Sequence, residues 1–121
     1  MSRIFWDTNI FIYLLEGVDE NSRQVARLRR AMLERGDQLL TSALTLGEVL
    51  VKPIELNAHE LRRKYEEVIT STATIIPFDE KAAPLYAQLR LDRYLRPPDA
   101  IQLACAGTAG IDLFITNVAR L

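Results

Sequence analysis

Apolar positions along the chain fall in short continuous runs and in helical stripes rather than in strict alternation. Ile4-Phe5-Trp6 is one such run, ended abruptly by Asp7, as expected for a strand buried on both faces. Thr8 and Asn9 then offer caps for a helix over residues 10–16, closed by Gly17. A second helix is predicted over 22–35, stopping at Gly36. Residues 38–41 read as a second strand, and Ser42 is a good cap for a helix carrying 44–51 until Pro53 ends it. A helix over 59–70, a β-branched third strand over 74–78 and a helix over 80–95 follow. Pro98 suits the first turn of an almost wholly apolar helix over 100–109, Gly110 ends it, and 113–116 form the last strand.

Strands alternating with helices predict an α/β fold. The expected form is an α/β/α sandwich with right-handed crossovers around a central, mainly parallel sheet of about four to five strands. In such sheets, sites lie beyond the carboxyl ends of the strands, where Asp7, Ser42 and Asn117 fall. The 121 residues fit one domain spanning 1–121, and no internal repeat or low-complexity segment divides them.

Composition narrows the class. With 49% hydrophobic and 26% charged residues, the balance is that of a soluble globular protein. The apolar run so near the N-terminus leaves no room for a secretion leader, and no apolar stretch approaches the about 20 residues that cross a bilayer. Cys105 is the only cysteine, so no intramolecular disulfide forms, and the cytoplasm is the expected compartment, with no membrane partner. A net charge of −1 supplies no overall attraction to nucleic acid, so any RNA must be held by a local basic patch or through metal ions.

Three acids stand out. Asp7 emerges directly from an apolar strand, where a charge needs compensation; a helix cap or strand-end aspartate is the plainer reading. Glu48 shares a helical face with Leu44 and Val51, so it interrupts an expected apolar stripe, or else marks the stripe's edge with its head in solvent. Asp99 opens the apolar helix, whose start is expected to be enclosed. The helix dipole alone favours an acid there by roughly 0.3–1 kcal/mol. A doubly wound sheet can bring all three to one edge. Like charges about 4 Å apart repel by roughly 4 kcal/mol at an effective dielectric of 20, so such a cluster needs raised pKa values or a cation. Oxygen-only ligands favour Mg²⁺ or Mn²⁺.

Four fragments carry a family resemblance. Asp7-Thr8-Asn9, Thr41-Ser42-Ala43-Leu44-Thr45-Leu46-Gly47-Glu48-Val49-Leu50, Pro98-Asp99-Ala100-Ile101-Gln102-Leu103-Ala104 and Leu113-Phe114-Ile115-Thr116-Asn117 resemble, in order, the motifs of PIN-domain proteins, and in particular VapC-type toxins. The resemblance covers nearly the whole chain. It implies a metal-dependent endoribonuclease acting as the toxin of a type II toxin–antitoxin pair and cutting RNA phosphodiesters with carboxylate-bound Mg²⁺ or Mn²⁺. On that resemblance Asp7, Glu48 and Asp99 are the catalytic acids and metal ligands. Asp7 and Asp99 come first as direct ligands, and Glu48 binds metal or positions water. Thr8, Asn9, Thr116 and Asn117 are implied as supporting or substrate-contacting residues, and a cognate VapB-like antitoxin and a second copy of the chain as partners.

One departure stands against it. The family commonly places a further aspartate where this chain has Val118, which cannot ligate a metal. The alternative is therefore a catalytically impaired PIN-fold module that binds RNA or a protein. A phosphatase using Asp7 as nucleophile would want an acid where Asn9 stands. Arg90, Arg93 and Arg96, and Arg23, Arg27 and Arg30, offer paths for a phosphate backbone, or else are solvated faces pairing with glutamates or with an antitoxin. His59 is the only histidine and lacks a zinc partner motif, and Cys105 reads as a buried core thiol.

Overall fold

The computed structural model describes residues 1–17 and 19–116, so Asn117 and Val118 lie outside the described residues. Its elements run β1 (Arg3–Trp6), α1 (Thr8–Glu16), α2 (Glu20–Arg35), β2 (Gln38–Ser42), α3 (Ala43–Glu55), α4 (His59–Thr72), β3 (Thr74–Ile76), α5 (Ala83–Leu89), α6 (Pro97–Ala109) and β4 (Leu113–Ile115). The strands form one sheet in the order β3-β2-β1-β4, with all pairings parallel.

Each strand divides its side chains between two cores, as a period of two requires. Ile4 and Trp6 of β1 and Leu39 of β2 join Ile10, Phe11, Val25, Met32, Val49 and Ile69 from α1 to α4. Phe5 and Leu40 point the other way, onto Cys105 and Ala106 of α6. Helices thus cover both faces, giving the expected α/β/α sandwich. Continuous apolar runs serve such strands because neither face meets water.

The order of the strands fixes where a site can form. From β1 the chain steps outward to β2 and β3, then returns past β1 to β4. The switch point lies between β1 and β4, and it is there, beyond the carboxyl ends, that a crevice opens in an open parallel sheet. Asp7 N–H donates to Ile115 C=O at 3.1 Å, so Asp7 sits at the mouth of that crevice.

Several local expectations are corrected. Helix α1 starts at Thr8, with Asp7 as its extended cap residue, because the Thr8 hydroxyl is engaged elsewhere. Helix α2 starts ahead of Ser22 because the Asp19 carboxylate accepts from the Ser22 N–H at 3.0 Å. Pro53 does not end α3, which continues to Glu55 with the proline ring buried inside it. Packing outweighs the one lost hydrogen bond there.

The helix predicted over 80–95 shrinks to α5. Pro84 fits only its first turn, while Asp79 and Asp92 accept backbone N–H groups of Lys81 and Tyr94 and hold turns on either side. Pro77, which has no N–H to donate, follows the last residue of β3.

Candidate active site

Asp7 leaves β1 at the switch point, and Thr116 leaves β4 beside it. The Thr116 hydroxyl donates to Oδ2 of Asp7, while Oδ1 is buried without a hydrogen-bond partner. Burial raises the Asp7 pKa above its ordinary 3.8, the Thr116 hydroxyl and the nearby N–H groups of Ile10 and Asn9 pull it down, and the charge of Asp99 pushes it up again. Asp7 and Asp99 therefore feel one another across the cleft.

Glu48 arrives from α3, but not as the stripe of Leu44 and Val51 suggested. The buried side of α3 is Thr45, Val49 and Pro53, and Val51 is 52% exposed. Glu48 flanks that buried side one turn beyond Thr45. Its Oε1 accepts the Thr8 hydroxyl at 2.5 Å, which turns the carboxylate toward β1. Asp99 is likewise more open than predicted. Its side chain is 57% exposed and stands 3.9 Å from the Arg96 guanidinium, because Pro97 and Pro98 carry the start of α6 outward before Ala100 is buried.

All three acids nonetheless border one cleft of about 420 Å³, together with Thr8, Asn9, Arg96 and Gln102. A second hollow of about 620 Å³ shares Asp7, Asn9, Arg96, Asp99 and Gln102 and continues to Tyr94, Leu103, Phe114 and Thr116. The fold thus brings together every described residue predicted for the site: Asp7, Thr8, Asn9, Glu48, Asp99 and Thr116. Among the described residues, no three Asp, Glu, His or Cys side chains already converge as the shell of one ion. The donors present are oxygens only, and the buried, unpartnered Oδ1 of Asp7 is the kind of atom a hard cation satisfies. On donor chemistry the site suits Mg²⁺ or Mn²⁺.

Thr45 and Gln102 were not picked out as site residues, and Ser42 was given only its place at a strand end and as a helix cap. Ser42 and Thr45 are fully buried and Gln102 is 5% exposed. Gln102 Nε2 donates to Thr45 Oγ1 at 2.8 Å and to Thr8 Oγ1 at 3.1 Å, and its Oε1 accepts from the Ser42 hydroxyl at 2.5 Å. The signal available in the sequence was a glutamine inside an almost wholly apolar helix, since a buried amide has to find partners.

The basic clusters divide. Arg23 and Arg27 both pair with Glu20, at 2.8 and 3.1 Å, on an exposed face. Arg90 donates to Leu95 C=O and braces the turn before α6, leaving Arg96 as the member of its cluster that reaches the cleft.

The family model described as PIN domain matches residues 4–118. This chain belongs to the PIN-domain family. No match was found among curated proteins. Solved PIN-fold relatives align over nearly the whole chain. A toxin–antitoxin complex from Klebsiella pneumoniae is 27% identical, with a TM-score of 0.70 over 94% of this chain and 86% of that one. VapBC2 from Rickettsia felis, bound to a DNA fragment from its promoter, gives 0.73 at 18% identity over 97% and 89%. VapC20 of Mycobacterium tuberculosis, a toxin that cleaves the sarcin-ricin loop, gives 0.71 at 16% over 92% and 86%. The PIN sandwich is common ground with these proteins of toxin–antitoxin systems.

Proposed function

We propose that this PIN-domain protein is the ribonuclease toxin of a toxin–antitoxin pair, hydrolysing RNA phosphodiesters at the cleft between β1 and β4 with a divalent cation, Mg²⁺ or Mn²⁺. The observation that carries this reading is the convergence of Asp7, Glu48 and Asp99, from three separate elements, on one switch-point cleft.

Asp7 and Asp99 would hold the ion directly, and Glu48 would hold either the ion or the attacking water. Such an ion, when bound, lowers the pKa of coordinated water and neutralises charge building on the phosphate oxygens. The chain's own residues do the rest. Thr116 fixes one oxygen of Asp7, at the mouth of the crevice. Thr8 holds one oxygen of Glu48. Arg96, 75% exposed at the rim, offers a guanidinium to an incoming phosphate. Asn9 lines both hollows, which supports a contact with substrate.

The likeness to toxin–antitoxin complexes supports a VapB-like antitoxin as partner, and a homodimer belongs to the same proposal as what the family resemblance implies. No described helix is long and apolar enough to cross a membrane; the cytoplasm, where a ribonuclease toxin would meet its RNA, is part of the proposal.

The test is cleavage of a structured RNA mixture by purified protein with Mg²⁺, Mn²⁺ or chelator, beside Asp7→Asn. Cutting that needs the cation and is lost in the variant is the expected result. No cutting by folded, antitoxin-free protein would overturn the enzyme in favour of a binding module.

A further inference from the structure

We infer that Gln102 is a positioning residue, the hub of a buried hydroxyl–amide chain that delivers the Thr8 hydroxyl proton to Glu48 and so sets the direction in which that carboxylate faces the cleft; this rests on the ribonuclease reading of the cleft.

The directions of the hydrogen bonds follow from counting protons. The Ser42 Oγ caps α3 by accepting the Thr45 N–H at 3.2 Å, and its own proton goes to Gln102 Oε1 at 2.5 Å. With Oε1 on Ser42, the two amide N–H bonds face Thr45 Oγ1 at 2.8 Å and Thr8 Oγ1 at 3.1 Å. Both hydroxyls, having accepted from Gln102, keep their protons for other partners. Thr8 has one proton, and Glu48 Oε1 at 2.5 Å is its strongest acceptor, so the 3.3 Å contact between Thr8 and Thr45 is left to the Thr45 proton. Every hydroxyl on this path therefore points toward Glu48, a group that accepts and does not donate when ionised.

The amide is what makes the path one-way. Turned over, it would present Oε1 to Thr8 and compete with Glu48 for that proton. A carboxylate at 102 would do the same and add a charge in a buried position. An aliphatic side chain would leave three hydroxyls to find partners among themselves. Because Gln102 sits on α6 and reaches Ser42 and Thr45 at the start of α3, it also ties the helix bearing Asp99 to the one bearing Glu48. Supporting partners of metal-binding groups commonly matter by about 10–100-fold in metal affinity or activity.

The experiment is a double-mutant cycle on Gln102→Met and Thr8→Val in the full chain. It is read by Mn²⁺ affinity from calorimetry, by kcat and KM on RNA, and by the ¹³C resonance of the Glu48 carboxyl, with Gln102→Glu and Thr8→Ser alongside. Gln102→Met is expected to weaken Mn²⁺ binding by about tenfold and lower kcat more than it raises KM. It should also shift the Glu48 resonance in the same sense as Thr8→Val, and add little once Thr8 is valine. Thr8→Ser should restore near-native values, and Gln102→Glu should be worse than Gln102→Met. Additive effects, or a Glu48 resonance that ignores Gln102→Met in a folded protein, would overturn the positioning role. A wild type that neither binds Mn²⁺ nor cuts RNA would remove the ribonuclease reading instead, while the resonance would still decide whether Gln102 governs Glu48.

Discussion

Thr116 and Asp7, the residues just past the two strands that flank the switch point, are joined by a hydrogen bond from the threonine hydroxyl to one carboxylate oxygen, while the other oxygen is buried and unpaired. The cleft is therefore built around a carboxylate that the fold holds firmly but leaves half satisfied.

That arrangement has a thermodynamic signature. Because burial raises the Asp7 pKa above 3.8, the folded protein still binds this proton at a pH where the unfolded chain has released it. Stability therefore falls as pH rises through the window between the ordinary and the raised value, and below 3.8 the penalty is gone. Asp7→Asn removes the penalty. It is expected to stabilise the protein at neutral pH and so raise Tm there. RNA cleavage should drop about 100-fold or more. Thermal melts in neutral and acidic buffer check it: the variant's advantage should shrink on acidification, and a variant less stable than wild type at neutral pH contradicts the account.

Removing the donor acts the opposite way. Thr116→Val leaves both Asp7 oxygens without a side-chain partner and is expected to cost about 1–3 kcal/mol. Thr116→Ser should recover most of that loss. Urea titrations of the pair, run at one pH above the carboxylate range, measure the difference.

Arg96 lies at the rim, and its ion pair with Asp99 is long and exposed. Arg96→Gln should change stability by no more than about 0.5 kcal/mol. If its guanidinium meets RNA phosphate, KM should rise several-fold and the slope of log KM on log salt should fall by about one. An unchanged salt slope would remove Arg96 from the substrate path.

Cys105 is buried, and burial together with the charge of Asp79 pushes its thiol pKa up to about 11. The folded protein should resist thiol reagents at neutral pH and become reactive on the timescale of unfolding. Rapid labelling under native conditions would show that α6 opens away from the sheet.

Much of this molecule is determined by local sequence. Continuous apolar runs fixed strands buried on both faces, and Gly17, Gly36 and Gly110 closed helices in the left-handed conformation at φ 63°, 72° and 66°. The order of the acidic fragments pointed to one family and to Asp7, Glu48 and Asp99 together. These are properties of residues within a turn or two of each other, or of a pattern repeated across a family.

Tertiary structure alone decided the rest. Periodicity put Glu48 on the stripe with Val51, but the side of α3 that is buried depends on what packs against it, and that is Thr45, Val49 and Pro53. Pro53 within α3 and the shortened α5 reflect packing and side-chain-to-backbone bonds that a local rule weighs poorly. The partners of Gln102 are Ser42, Thr45 and Thr8, residues distant in sequence that meet only because β4 returns past β1 and lays α6 against the start of α3. A polar side chain in an apolar helix announces that it needs partners. Which partners it finds is set by the order of the strands.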